Sequence, residues 1–162
     1  MQPLRILQLL ILLAVANGTP VIAKDILGNH FSYPLDAHVR FADGRPLFGA
    51  SKTIRGILLS LLTTSVSALL LGLGWQIGLL VGSTAMAGDL LSSFCKRRIK
   101  LPPGGRATGM DQIPESLFPL LACTDVLSLT LADILVGVGI FFIGEIFLSR
   151  LLFKFRLRDR PY

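Results

Sequence analysis

ILLSLLTTSVSALLLGLGWQIGLLVGSTAMAGDLL, running from Ile57 to Leu91, carries a single charged side chain, Asp89. Its two apolar runs, Ile57 to Leu73 and Ile77 to Leu91, are close to the length that crosses a hydrocarbon core. The linkage Gly72-Leu73-Gly74-Trp75-Gln76 between them is so short that the runs must fold back as an antiparallel hairpin, with Trp75 suited to a membrane–water interface. Gly78 and Gly82 form a GxxxG that Ser83 and Ala87 continue, a pattern read here as close packing inside a helical bundle rather than as a dimer seam. The hairpin sets the fold class expected for the whole chain, an all-α membrane protein.

Outward from the hairpin the same pattern repeats. Leu4 to Ile22 is a first apolar run near the ~20 residues needed to span, weakened at its far end by Asn17, Gly18 and Pro20. A cleaved signal peptide competes for this run, since Arg5 precedes it and Val21-Ile22-Ala23 resembles a cleavage site, but the run is long for an h-region. Ile113 to about Thr130 makes a fourth, less uniform span in which Pro119 is expected to kink the helix. Leu131 to Phe153 makes a fifth, with Asp125 and Asp133 flanking the turn into it and Glu145 as its only interior charge. An intramembrane carboxylate is a functional candidate by default, and pairing with Arg150 is the alternative. About five transmembrane helices in one domain, residues 1–162, is the expected architecture.

Composition agrees with this reading. Of 162 residues, 52% are hydrophobic and 16% charged, and mean hydropathy is +0.66, whereas a soluble domain carries about a quarter charged residues. In a polar chain the net charge of +6 would point to nucleic acid. In so apolar a chain, clustered Lys and Arg mark loops and sites for anionic head groups or nucleotides, so no nucleic-acid partner is expected. Cys95 and Cys123 have no spacing that fits a zinc site or a disulfide framework.

Two polar stretches interrupt the apolar runs. In GDLLSSFCKRRIKLPPGGRATGMDQ, Gly88 to Gln112, a helix over the first half puts Asp89, Ser92, Ser93 and Lys96 on one face at i, i+3, i+4 and i+7. A carboxylate, two hydroxyls and an ammonium so close together suit metal-bound phosphate. DGRPLFGASKTIRG, Asp43 to Gly56, supplies Lys52, Thr53 and Arg55 at the mouth of the next helix, with Gly44 and Gly49 giving backbone freedom, so a phosphate could be gripped there too. Its Ser-Lys-Thr triplet is no Walker A loop, because the glycine spacing is wrong and no strand precedes it; a positive-inside anchor is the plain alternative.

Five crossings give a topology that can be counted. Residues 23–53, residues 92–112 and the C-terminal tail then share one side, with Lys24, Arg40, Arg45, Lys52, Arg55, Lys96, Arg97, Arg98, Lys100, Arg106, Arg150, Lys154, Arg156, Arg158 and Arg160. Of the 16 Lys and Arg, only Arg5 is left on the other side, so the positive-inside rule makes the loaded side cytoplasmic. Both polar loops therefore meet at the cytoplasmic face of an integral, multi-pass cell-membrane protein.

GDLLSSFCKRR followed by MDQ, with the upstream DGRPLFGASKTIRG and a basic tail ending in Pro-Tyr, resembles the CDP-archaeol synthases, small membrane cytidylyltransferases related to the CDP-diacylglycerol synthases. The resemblance covers most of the chain. It implies transfer of a cytidylyl group from CTP to a membrane lipid phosphate of archaeol or diacylglycerol type, releasing pyrophosphate, with Mg²⁺ required. Residue by residue, it implies metal binding by Asp89 and Asp111, catalysis by these two with Lys96, and substrate binding by Asp43, Arg45, Lys52, Thr53, Arg55, Ser93, Arg97, Arg98 and Gln112; Ser92 joins the substrate-binding set from its place on the same helical face. The sequence departs from the family pattern at Ala50-Ser51, where an acidic-glycine pair is usual. It departs again at Pro114, where the family carries an acid that here falls one place later, at Glu115. The His-Gly-Gly loop of the larger synthases is missing.

Such a reaction asks the protein to neutralise charge between two anionic partners more than to supply covalent chemistry. No general base is needed if the lipid phosphate is ionised, so His30 and His38 are read as ordinary loop residues. Other classes fit less well. A transporter would carry polar groups near the midplane, and a non-catalytic anchor with a basic lipid-binding face leaves the flanking carboxylates without a purpose. A CDP-alcohol phosphotransferase would need four aspartates at helical spacing, which are absent. A homodimer that completes a lipid groove is open.

Overall fold

The computed structural model describes residues 2–102, 105, 107 and 109–154, with backbone alone from 148 onward. Arg106, the side chains of Arg150 and Lys154, and the basic tail beyond them lie outside the described residues. Six helices follow one another: α1 (Pro3–Leu27), α2 (Ile54–Leu70), α3 (Trp75–Arg98), α4 (Gln112–Ala122), α5 (Thr124–Leu127) and α6 (Leu131–Lys154).

The hairpin read from the sequence is α2 and α3. Between them Gly72 (φ +71°) and Gly74 (φ +85°) take backbone conformations that a side chain would strain, and Leu73 N–H closes α2 by donating to Ala68 O at 2.9 Å. Gly78 then lets the two backbones touch, since a Cβ there would lie 2.5 Å from Ser65 Cα and from Thr64 O. The GxxxG works inside the chain, as expected.

α1 runs past its expected end at Ile22 to Leu27, through Gly18 and Pro20. Pro20 has no N–H for the Ala16 carbonyl one turn back. The buried Ser60 hydroxyl of α2 supplies that bond instead, donating to Ala16 O at 2.8 Å, and the Thr19 and Thr63 hydroxyls meet beside it at 2.8 Å. Leu9, Leu12, Leu13 and Ala16 are wholly buried in a core shared with Ala68, Val81, Ala85 and Leu120. α1 is thus one wall of the bundle.

The fourth span, expected as one helix from Ile113 to about Thr130, is instead α4 of 11 residues and α5 of 4. Pro119 removes an N–H from the middle of α4, the helix is interrupted at Cys123 (φ −89°, ψ 2°), and Ser128 ends α5 in the left-handed region. At 1.5 Å per residue α4 is about 16 Å long, roughly half of a hydrocarbon core about 30 Å thick.

α1, α2, α3, α4 and α6 alternate in direction, with α5 part of the turn between the last two, so their ends collect at two poles. At one, Gln8 Nε2 donates to Leu71 O at 3.0 Å, Gln2 Nε2 to Ser128 O at 3.0 Å, and Gln2 N–H to Asp133 Oδ1 at 2.9 Å. Asp133 also accepts from Thr130 N–H while Thr130 Oγ1 accepts from Asp133 N–H, a reciprocal cap that starts α6. The other pole gathers residues 28–53, the start of α2, the end of α3 and the start of α4.

The surface between the poles is apolar. Leu58 and Leu62, one turn apart on α2, are each 61% exposed, and Leu135, Ile143 and Phe147 line α6 in the same way. Such stripes suit lipid better than water. Among the described residues α1 and α3 are long and apolar enough to cross a membrane, and α2 at 17 residues sits at the lower bound of about 17.

Gly78→Ala should destabilise the bundle by about 1–3 kcal/mol, because the new methyl meets backbone that cannot step aside. Gly139→Ala, where a Cβ meets nothing within 4 Å, should leave stability unchanged or raise it slightly. Unfolding midpoints of both variants in one detergent separate the two outcomes, and equal midpoints would refute the close α2–α3 contact.

Candidate active site

Residues 28–53 fold around one buried carboxylate that the sequence reading passed over. Asp36 Oδ2 accepts from Phe48 N–H at 3.1 Å and Gly49 N–H at 2.9 Å, and Oδ1 from His38 N–H at 3.1 Å. Gly49 itself needs φ +94° to present its amide. Burial pushes the Asp36 carboxyl up, but the amides of Gly49, Phe48 and His38, with the His38 ring, outweigh it and hold the group below the usual carboxylate range. The loop then rejoins the bundle where Leu35 N–H donates to Lys52 O and Ile54 N–H to Tyr33 O. This pins Lys52, Thr53 and Arg55 at the start of α2.

α3 supplies the opposing surface. Its helix continues through Arg98, so Asp89, Ser92, Ser93 and Lys96 do share a face, and Ser92, Ser93, Lys96 and Arg97 are all at least nine-tenths buried. Gly88 permits this burial. A Cβ at Gly88 would sit 2.3 Å from Pro114 O and 2.8 Å from Glu115 N, so only glycine lets the first turn of α4 lie against α3.

The candidate residues fall into three linked groups. In the first, Lys52 Nζ grips both Asp89 oxygens, at 2.6 Å and 2.5 Å, and Glu115 of α4 brings its buried carboxyl into hydrogen-bonding contact with Asp89. Glu145 of α6 is close enough for its charge to act on Glu115. In the second, Lys96 Nζ pairs with Asp111 Oδ1 at 2.7 Å, and Arg97 feels the Asp111 charge. Among the described residues neither Nε nor Nη1 of Arg97 has a hydrogen-bond partner. Ala107 N–H donates to Asp111 Oδ2 and Gly109 N–H to Gln112 Oε1, so Asp111 and Gln112 also shape the turn into α4.

The third group binds loop to helix. Arg98 Nη1 meets Asp43 Oδ1 at 2.5 Å, its Nη2 donates to Pro46 O at 2.6 Å, and its guanidinium lies 4.8 Å and 4.9 Å from the Phe41 and Phe94 ring centres. Arg45 Nη1 donates to the Arg97 and Arg98 carbonyls at 3.2 Å and 3.3 Å. Arg55 donates to the carbonyls of His30 and Gly28, and Thr53 Oγ1 accepts from Gly56 N–H as the cap of α2. Arg45, Arg55 and Arg98 therefore spend donors on the protein itself. Their charge and their place in the family motifs marked them as substrate-binding; their carbonyl and carboxylate partners, distant in sequence, could not be read from either.

Glu115 is the site residue that spacing failed to single out. The only signal was its offset, one place after the position where the family carries an acid. In α4 Glu115 lies four residues after Asp111, on the turn that Gly88 admits. A Mg²⁺ ion fits here on donor chemistry: Asp89 and Glu115 offer hard oxygens, and two carboxylates in contact are relieved by a cation. Among the described residues no three His, Cys, Asp or Glu come together as a metal-holding group. Mg²⁺ does not need one, since one or two carboxylates and substrate phosphates complete its shell.

Comparison with known proteins gives four findings. The family described as CarS-like CDP-archaeol synthase matches residues 73–162. The CDP-archaeol synthase of Sulfurisphaera tokodaii is 32% identical over 154 residues, covering 91% of this chain and 89% of its own. That of Hyperthermus butylicus is 36% identical over 126 residues, covering 74% and 72%. A solved structure, described as an intramembrane enzyme for archaeal membrane lipids biosynthesis, superposes with a TM-score of 0.75 at 27% identity, covering 88% of this chain and 90% of that one.

Because the folded Asp36 carboxyl lies below its unfolded value, its contribution to the loop is complete above the ordinary carboxylate pKa of about 3.9 and is lost as pH falls through the folded value. Exchange protection of the Phe48 and Gly49 amides should follow that course in the wild type. Asp36→Ala should speed exchange at both amides by roughly tenfold or more at neutral pH. Wild-type protection in that variant would show that the loop is held by something else.

Proposed function

Because the chain belongs to the CDP-archaeol synthase family, we propose that it transfers a cytidylyl group from CTP to an archaeol-type lipid phosphate in the membrane, releasing pyrophosphate. One observation carries the reading. Cations and carboxylates from the first loop, the end of α3 and the start of α4 converge at one pole of a bundle whose flanks are apolar, which is where a water-soluble nucleotide and a membrane-bound phosphate can meet. A diacylglycerol-type phosphate would meet the same apolar flanks, and the family favours the archaeol type. Five crossings, with this pole cytoplasmic, remain the topology proposed from the basic residues.

In the proposed reaction an oxygen of the lipid phosphate attacks the α-phosphorus of CTP, that P–O bond forms, and the bond to pyrophosphate breaks. Both partners are anions, so the protein's work is to bring them together and disperse charge. Lys96 and Arg97 lie in a buried setting where a cation acts strongly, and the unsatisfied Arg97 guanidinium is shaped for a phosphate. Lys52 adds charge from the first loop. Arg98, Arg45 and Asp43 keep that loop against α3, and Ser92 and Ser93 offer hydroxyls on the same face. Asp89 with Glu115, and separately Asp111 beside Lys96, are the carboxylates that would hold Mg²⁺, which when bound would neutralise charge on the triphosphate.

Asp89→Asn keeps shape and removes charge, and it should lower CTP-dependent pyrophosphate release by roughly 100-fold or more. Lys100→Ala, at an exposed position beyond the end of α3, should stay within about threefold of wild type. Undiminished product from the Asp89 variant in purified protein with CTP, Mg²⁺ and a lipid phosphate would remove Asp89 from the mechanism.

A further inference from the structure

A cavity of about 350 Å³ opens at the active pole between the end of α1, the first loop and the start of α2. Asp89 and Lys52 form part of its wall, so it is continuous with the first group of site residues. Its far wall comes from residues outside both motifs, including Lys24 and Asn29. Lys24, Lys52 and Arg55 set three cations against the single carboxylate of Asp89 in this lining. Lys52 is held by Asp89 and Arg55 by the carbonyls of Gly28 and His30. Lys24, an exposed residue one turn after Pro20 in the same wall, has no ion-pair or side-chain hydrogen-bond partner among the described residues.

We infer that this cavity is a phosphoryl subsite and that Lys24 of α1 is a substrate-binding residue in it. The inference rests on the cytidylyl-transfer reading and adds a residue that neither motif contains. A lysine at the last turn of a helix also interacts favourably with the helix dipole, but that role needs no cavity in front of it. A net excess of cations around a half-open cleft of this size attracts a multiply charged oxyanion, with the start of α2 and its Thr53 cap opening into the same space. Two ligands in the reaction carry that chemistry, the triphosphate of CTP and the phosphate of the lipid. The kinetics tell them apart.

Lys24→Gln and Lys24→Arg in the full-length protein are compared with wild type by titrating CTP at saturating lipid phosphate and lipid phosphate at saturating CTP. Loss of a charge-assisted contact should raise one of the two KM values by about tenfold while kcat stays within about threefold, and Lys24→Arg should restore most of it. A rise in the lipid arm assigns the subsite to the lipid phosphate, and a rise in the CTP arm assigns it to the nucleotide. Unchanged KM in both arms, or a loss of kcat and thermal stability that arginine does not rescue, overturns the subsite. Equilibrium binding of CTP and of a short-chain lipid phosphate to the same three proteins tests the cavity without turnover. If wild type binds but releases no pyrophosphate, the reaction reading fails. Binding that Lys24→Gln leaves unaltered sinks the subsite alone.

Discussion

The contact between Gly88 and Pro114 is the constraint on which the site depends. A carbonyl of α4 occupies the space where any other residue on α3 would carry its Cβ. That approach buries Ser92, Ser93, Lys96 and Arg97, and it delivers Glu115 to Asp89. Buried charges are costly unless paired. Close approach and ion pairing are therefore two halves of one arrangement: Lys96 is buried because Asp111 answers it, and Asp111 is in reach because α4 starts where it does.

The first loop solves a different problem. Residues 28–53 contain no helix or strand beyond isolated bridges, and a segment of that length needs an internal anchor to hold one shape. Asp36 gathers three amides of its own loop, and Arg98 and Arg45 then fasten the loop's tip to the end of α3. With both ends and the middle secured, Lys52 can reach Asp89 across the bundle. A polar assembly is thereby held rigid at the edge of an apolar surface, where water competes for every bond.

Much of this was legible in residue spacing, and what escaped did so for a reason. The α2–α3 hairpin, the inward role of Gly78 and Gly82, and the shared face of Asp89, Ser92, Ser93 and Lys96 follow from local periodicity, which a sequence displays directly. Pro119 advertised trouble in the fourth helix, but the interruption falls at Cys123, and local rules did not say where. Glu115 and Asp36 act through partners 26 and 12 to 13 residues away, and no spacing rule spans such distances. The arginines illustrate the converse: their charge is obvious, while the carbonyls and the carboxylate that engage them depend on how the loop folds.

The bond from Ser60 to the Ala16 carbonyl bears on how the chain is assembled. In hydrocarbon an unmatched carbonyl is a severe penalty, and Pro20 creates one in α1 until α2 is present. The first helix is consequently an incomplete solute by itself, and it becomes complete only when the second arrives carrying a hydroxyl at the right depth. Biosynthesis delivers the two in that order. The pairing of α1 with α2 is thus a step that the emerging chain is driven to take early, ahead of the later helices that finish the catalytic pole.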